Sequence, residues 1–318
     1  MSKISKVAVI GSGNVGAAVA NALVLLRKCE KVILFDRTLS NAEGEAWDIE
    51  DAIPLLSEMD VQPSDSYDDV ADSDVIVITV GVQRKEGQSR LDTLETNAEI
   101  IRSTIKELDR VAPDATVIVV SNPVDVLTRI AIATSARSEN LIIGSGTVLD
   151  TARLRYQLGK RLNVNKQDVH VYVFGEHGDS EVVGWESASI GTIPLDKFPL
   201  PQGTSLRQIQ EEYSESTPKR GYAISERKGA TNYAVATVVC QLVEAILRDQ
   251  KKIFTVSVRA DSNYGIGSNV VLGLPCIIGK QGIERQLLLP LNDLEQRLLI
   301  ESAAKLEEAY NSLSKTVS

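Results

Sequence analysis

The residues best suited to chemistry fall in two groups. In Gly11-Ser-Gly13-Asn-Val-Gly16 three glycines stand at the spacing that permits a tight turn, close approach of a pyrophosphate and close packing of a helix on a strand. Asn14, Val15 and Gly16 would open the helix, whose free N–H groups suit an anion. Asp36, twenty residues beyond Gly16, closes the next apolar run. A carboxylate there accepts from both hydroxyls of an adenosine ribose and repels a 2′-phosphate, which points to NAD over NADP, although Arg37 beside it weakens that preference. The second group is Gly175-Glu-His177-Gly-Asp-Ser, in which His177 is the only histidine in a glycine-rich, loop-like setting. Its imidazole can deliver a proton near neutral pH. Each feature has a plainer reading: a ligand-free glycine turn, a solvated Asp36, a structural histidine.

The elements that must position these groups alternate along the first half. Val7–Ile10, Lys31–Phe35, Val75–Val80, Thr116–Val120 and Leu141–Ile143 read as strands, and Ile101, Ile105 and Leu108 mark a helix between two of them. Near-continuous Val/Ile strands separated by helices predict a parallel sheet covered on both faces. In the second half Gln167–Phe174 and Lys252–Val258 alternate like half-exposed strands, and Asn269–Gly279 carries Gly and Pro as turn or bulge signals. One long helical pattern runs from about Glu226 to Arg248. Another starts at Asn292, with Glu295 completing a capping box, and runs to about Leu313. Pro194, Pro199, Pro201 and Gly203 mark a loop. The expected architecture is a Rossmann-type doubly wound parallel α/β sheet over residues 1–145, followed by an α+β substrate domain over 146–318.

Composition agrees with two soluble domains. The 318 residues are 43% apolar and 24% charged, with a net charge of −9. That acidic balance argues against a nucleic-acid binder. The longest apolar runs, Val75–Val80 and Val117–Val120, are far short of the ~20 residues of a spanning helix. Val7–Ile10 after Lys3 and Lys6 is too short for a signal-peptide core, which gives the expectation of a cytoplasmic protein. Cys29, Cys240 and Cys276 form neither a disulfide framework nor a metal knuckle and read as small buried hydrophobes. With His170 and His177 the only histidines, no metal site is expected.

Taken together, Ser121-Asn122-Pro123-Val124-Asp125, Gly144-Ser-Gly-Thr-Val-Leu-Asp150-Thr-Ala-Arg153, the His177 segment and Arg90 give more than their parts. In this order they resemble the L-lactate/malate dehydrogenase family over essentially the whole chain, with wording closer to the bacterial L-lactate dehydrogenases. The resemblance implies hydride transfer between NADH and a small 2-oxo acid. It implies that Asp150 holds the second ring nitrogen of His177 and raises its pKa, and that Arg153 clamps the substrate carboxylate. Arg90 would polarise the carbonyl, and Asn122 would hydrogen-bond the substrate near the nicotinamide. Taken singly, Asp150 could be only a helix-start charge and Arg153 a surface arginine.

One position departs from the lactate enzymes. Gln83–Arg90 is a charged, glycine-hinged segment between strand and helix, as either a lid or a plain solvated loop would be. By the family spacing Arg84 falls on the position that selects the substrate side chain, where lactate dehydrogenases carry glutamine and malate dehydrogenases arginine. Burying a guanidinium over pyruvate would cost several kcal/mol, whereas oxaloacetate brings a second carboxylate to pair with it. Thr231 matches the opposite wall of the lactate enzymes, and Asn232 departs from the aromatic residue usual there. The expectation is a lactate-dehydrogenase scaffold with oxaloacetate/malate activity; a dedicated malate dehydrogenase is the alternative. Arg155 and His170 match the pair that binds fructose 1,6-bisphosphate between subunits of allosteric bacterial lactate dehydrogenases, which implies a tetramer and a glycolytic setting. Competing classes are a non-catalytic NAD-binding protein, which would have lost one of Arg90, Asp150, Arg153 and His177, and an NAD-dependent glycosidase, which needs a metal.

Overall fold

Aliphatic runs without polar alternation can satisfy themselves only where both faces of a sheet are covered. The computed structural model, which describes residues 4–56, 59–82 and 90–314 (the side chains of Arg90 and Ser314 excepted), uses them in that way. Strands β1 (Lys6–Ile10), β2 (Lys31–Phe35), β3 (Asp60–Ser64), β4 (Val75–Ile78), β5 (Thr116–Val119) and β6 (Ile142–Gly144) are all parallel, in the order β3-β2-β1-β4-β5-β6. Helices α1 (Asn14–Leu25), α2 (Leu39–Glu50), α3 (Arg90–Val111) and α4 (Val124–Thr134) connect them. Ile101, Ile105 and Leu108 are fully buried on α3, as their spacing predicts. The chain leaves β3 and returns beside β1 as β4. That reversal opens a crevice at the carboxyl ends of β1 and β4, where a doubly wound sheet binds its ligands.

The sheet does not stop at β6. Helix α5 (Val148–Leu162) follows it, and β12 (Lys252–Arg259) pairs antiparallel with β6 through Ser257 and Gly144. Beyond β12 come β13 (Val271–Gly279), β8 (Val173–Gly175) and β9 (Glu181–Val183), with β14 (Gly282–Gln286) also on β13. A small separate sheet joins β7 (Val169–His170), β10 (Ser189–Ile190) and β11 (Ile193–Pro194). A second apolar cluster, including Leu154, Leu158, Val169, Ile209 and Tyr213, seats α5 against α6 (Leu206–Lys228). Helices α7 (Tyr233–Leu247) and α8 (Asp293–Ser314) complete the chain. Asn292 Oδ1 accepts from the Leu294 and Glu295 N–H groups while Glu295 reaches back to Asn292 N, so the expected capping box is formed. Among the described residues no helix is long and apolar enough to cross a membrane. The three cysteines are buried and free.

Three readings of the second half need correction. The alternation in Gln167–Phe174 is shared between two sheets, β7 in the small one and β8 in the large one, because the chain changes sheets at Val171 and Tyr172. The helical pattern from Glu226 to Arg248 is two helices: α6 stops at Gly229, whose φ of +85° cannot continue it, and α7 starts at Tyr233. Lys252–Val258 is a strand but not a half-exposed one, since Thr255, Val256, Ser257 and Val258 are all buried; the bulge signal in Asn269–Gly279 is met by a register shift at Ile277/Ile278 within a nine-residue strand. Pro275 sits inside that strand without an N–H to give, and Thr255 opposite it turns its carbonyl to the Thr147 N–H at 3.0 Å.

Candidate active site

Gly11 follows β1 with φ +106°, and its N–H reaches the Phe35 carbonyl at 2.8 Å. A Cβ on Gly16 would lie 1.8 Å from the Gly11 carbonyl oxygen, so helix and strand approach as closely as backbone permits. Gly13 differs: a Cβ there would meet nothing within 4 Å. The protein itself therefore does not require glycine at 13, whereas a ligand seated on the α1 terminus would. Gly13 caps α1 without a side-chain bond, and no acidic residue stands in the first turn to neutralise the N–H groups of Asn14, Val15 and Gly16.

Asp36 lies at the end of β2 beside this turn. Its Oδ2 accepts from Ser12 N at 3.2 Å and Ser12 Oγ at 2.9 Å, and its Oδ1 from Thr38 N at 3.0 Å. Burial opposes its charge, but these donors outweigh burial and hold the carboxyl below its ordinary range. An ionised acceptor at the β2 end, open N–H groups and an empty space over Gly13 fit the ribose and pyrophosphate of a dinucleotide. Arg37 is exposed.

At the other end of the crevice, Asp150 occupies the first turn of α5 and is 2% exposed. Its Oδ2 lies 2.6 Å from His177 Nδ1, and its Oδ1 accepts from Arg153 Nη1 at 2.7 Å. Burial lowers the affinity of His177 for a proton, yet the charge and hydrogen bond of Asp150 raise its pKa to about 9. Asp150 responds in the opposite sense: burial resists its ionisation, and His177 and Arg153 overcome it and hold the carboxyl below the usual range. With Nδ1 engaged, Nε2 is the ring atom left to exchange a proton. One quarter of the His177 side chain is exposed.

Helix α8 fixes the His177 loop from below: Ser302 Oγ accepts from Glu176 N at 2.8 Å, and Ser180 N donates to Glu176 Oε2 at 3.2 Å. Three polar side chains not singled out above also belong to the site. Asp125 accepts from His177 N at 2.7 Å. Asn97, 3% exposed on α3, brackets both polar groups of Val82 and donates to the Asn122 carbonyl at 3.3 Å. Glu181 on β9 is kept protonated up to about 9 by burial and the nearby Asp150 charge, and its Oε1 has no hydrogen-bond partner among the described residues.

A cleft of about 320 Å³ brings together Leu149, Arg153, Arg220, Thr231 and Asn232. Thr231 and Asn232 lie in the break between α6 and α7, and Asn232 Nδ2 reaches the Asn14 carbonyl at 3.5 Å, joining this wall to the start of α1. Asn122 is exposed, and its Oδ1 accepts from Val124 N at 3.2 Å. Arg155 donates from Nε to the Val171 carbonyl at 3.1 Å, beside the exposed His170 on β7. Arg84 and the side chain of Arg90 lie outside the described residues; the main chain of Arg90 opens α3.

Residues 5–144 match the family model for the lactate/malate dehydrogenase NAD binding domain, and residues 147–317 that for the lactate/malate dehydrogenase alpha/beta C-terminal domain. The chain belongs to the lactate/malate dehydrogenase family. Curated relatives of this family member include an L-lactate dehydrogenase of Acetivibrio thermocellus, 40% identical with 98% of each chain covered. One of Clostridium botulinum is 39% identical, covering 98% of this chain and 97% of the relative. Among solved structures, a lactate dehydrogenase from a Medee basin deep-sea metagenome library has a TM-score of 0.94 at 35% identity, covering 98% and 99%. The minor L-lactate dehydrogenase of Enterococcus mundtii has a TM-score of 0.93 at 30%, covering 97% and 98%. This lactate/malate dehydrogenase relative is an NAD-dependent 2-hydroxy acid dehydrogenase with a Rossmann-type sheet. The glycosidase and non-catalytic readings fall with that finding.

Proposed function

We propose that the chain reduces a small 2-oxo acid with His177 as proton donor, Asp150 as its orienting carboxylate and Arg153 as the carboxylate clamp. The observation that carries this is the His177–Asp150–Arg153 chain, at 2.6 and 2.7 Å, whose Arg153 lines a cleft that also holds Thr231. Bound NADH supplies the hydride. Gly11, Gly13, Asn14, Val15, Gly16 and Asp36 would hold the cofactor, with Asn122 at the join between cofactor and substrate.

In the reduction, the substrate carboxylate enters beside Arg153, whose Nη1 stays on Asp150 and whose remaining N–H groups would take the carboxylate. The substrate carbonyl lies toward Nε2 of His177. As negative charge grows on that oxygen, the Nε2 proton moves to it, and Asp150 stabilises the ring while it is charged. Arg90 stabilises the same developing oxyanion. His177→Asn is expected to abolish turnover while NADH still quenches protein fluorescence; retained turnover would end this reading.

Arg84 gives the substrate side chain its partner, so oxaloacetate is turned over alongside pyruvate. Arg84→Gln is expected to lower the ratio of kcat/KM for oxaloacetate to that for pyruvate by about two decades or more. An unchanged ratio would remove the role.

The same proposal divides the chain into a cofactor unit, 1–145, and a substrate unit, 146–318, and sets the enzyme in the cytoplasm at the end of glycolysis. A tetramer would bind fructose 1,6-bisphosphate through Arg155 and His170 of neighbouring subunits, since guanidinium and imidazolium groups doubled across a two-fold axis suit a bisphosphate. Sedimentation checks the assembly. A substrate saturation curve unmoved by saturating fructose 1,6-bisphosphate would remove the effector.

A further inference from the structure

Asp125 sits in the first turn of α4, two residues beyond Pro123, and is 2% exposed. Burying a carboxylate this deeply is costly unless its oxygens are hydrogen-bonded. Both are: Oδ2 accepts from the His177 main-chain N–H at 2.7 Å, and Oδ1 accepts from the Ser257 hydroxyl at 2.6 Å. The partners lie 52 and 132 positions along the chain, one on the loop between β8 and β9 and the other on β12. His177 is thus held by two carboxylates. Asp150 orients the ring, but among the described residues only Asp125 grips the main chain from which that ring projects.

We propose that Asp125 is a positioning residue for the proton donor: its ionised carboxylate anchors the His177 main chain and so sets where Nε2 meets the substrate. This rests on the reading of His177 as proton donor. A neutral carboxyl accepts an N–H bond more weakly than a charged one, so protonating Asp125 loosens the anchor. Burial lifts Asp125 to about 6, opposed by Ser257 and the His177 N–H. Among the described residues the groups acting on it are Ser257 from β12 and His177 and Glu176 from the loop, Glu176 raising it further. His177 stays protonated to about 9, so an acid limb near 6 in the reduction belongs to Asp125 and not to the imidazole.

The test compares pH profiles of kcat and KM for the full chain, using NADH and pyruvate or oxaloacetate, whichever the wild type turns over. Wild type is expected to lose kcat as pH falls through about 6. Asp125→Asn, a near-isosteric copy of the neutral form, is expected to show no such limb. Its kcat at neutral pH should be lower by about 10- to 100-fold, the worth of a hydrogen bond to a charged group, with both KM values within about threefold of wild type. Ser257→Ala removes a donor from the charged form, so its limb should move to higher pH. A limb that persists unchanged in Asp125→Asn, or an unmoved kcat, overturns the proposal. If Asp125→Asn fails to fold, a Ser257→Ala limb that stays in place overturns it alone. Turnover by His177→Asn would instead sink the proton-donor reading itself; an inactive His177→Asn beside an Asp125→Asn of wild-type profile sinks only the anchor.

Discussion

Replacing Asp150 by asparagine keeps the shape of the side chain and removes the charge that His177 and Arg153 share. The His177 pKa of about 9 is the outcome of burial pulling it down from 6.5 and Asp150 pulling it up more strongly. Without the carboxylate the strongest upward pull is gone, and burial, opposed only by the weaker pulls of Asp125 and Glu181, draws the value down toward 6.5, a change worth about 3 kcal/mol. At pH 7.5 the protonated fraction then drops from nearly all to about one tenth, which alone lowers kcat/KM for the 2-oxo acid about tenfold. Loss of ring orientation and an Arg153 left without its acidic partner lower it further, to about a hundredth or less. Initial rates of NADH consumption across about pH 5.5–10 read this directly. The alkaline limb should move from about 9 to below 7 in Asp150→Asn. A limb that stays near 9 would refute the assignment of Asp150 as the source of the raised pKa. Stability supplies a second check. Because the folded-state value of His177 is raised, its contribution is fully present below pH 6.5, as long as Asp150 stays ionised, and is lost as pH rises through about 9, a dependence the variant should lack.

The second and third glycines of the cofactor turn should separate cleanly. Gly16→Ala drives a methyl group against a backbone oxygen and is expected to destabilise by about 3 kcal/mol in urea unfolding. Gly13→Ala should cost about 1 kcal/mol or less yet weaken NADH binding at least about tenfold by fluorescence titration; unchanged affinity would deny that the space is the ligand's. Glu244→Gln leaves Lys28, 13% exposed and 2.6 Å away, without its partner and should lower the urea midpoint by the equivalent of about 2 kcal/mol. Paired carboxylates hold their proton less tightly in the fold, so that loss should shrink as wild type is acidified below about pH 4.

What the sequence makes legible is what lies close along the chain. The Gly11–Gly16 turn and Asp36 belong to one strand–turn–helix–strand unit, and each residue type states its own reason. The Asn292 cap is equally local. The chemistry is less so: the roles of Asp150, Arg153 and Arg90 come with the family pattern, because no periodicity joins residues 150 and 177. Asp125 lies in the Ser121–Asp125 segment, but a carboxylate in a first helical turn reads as a dipole charge, and its partners are fixed only by the sheet order. Asn97 offers one faint signal, a polar residue on the buried stripe of α3 beside Ala98 and Ile101. Helix α6 gives almost none, since over 23 residues it buries only Ile209, Tyr213 and Thr217 and carries Pro218 inside. Its end at Gly229 is what separates one helical pattern into two.

Helix α7 returns from far along the chain to lie on α1, and Lys28 is tied to Glu244 across 216 positions. A gene cut after residue 145 would therefore not release a self-sufficient nucleotide module. Its first helix would turn an uncovered apolar flank to water, β6 would become a raw edge without β12, and the fragment would be expected to aggregate or to recruit its missing half in trans.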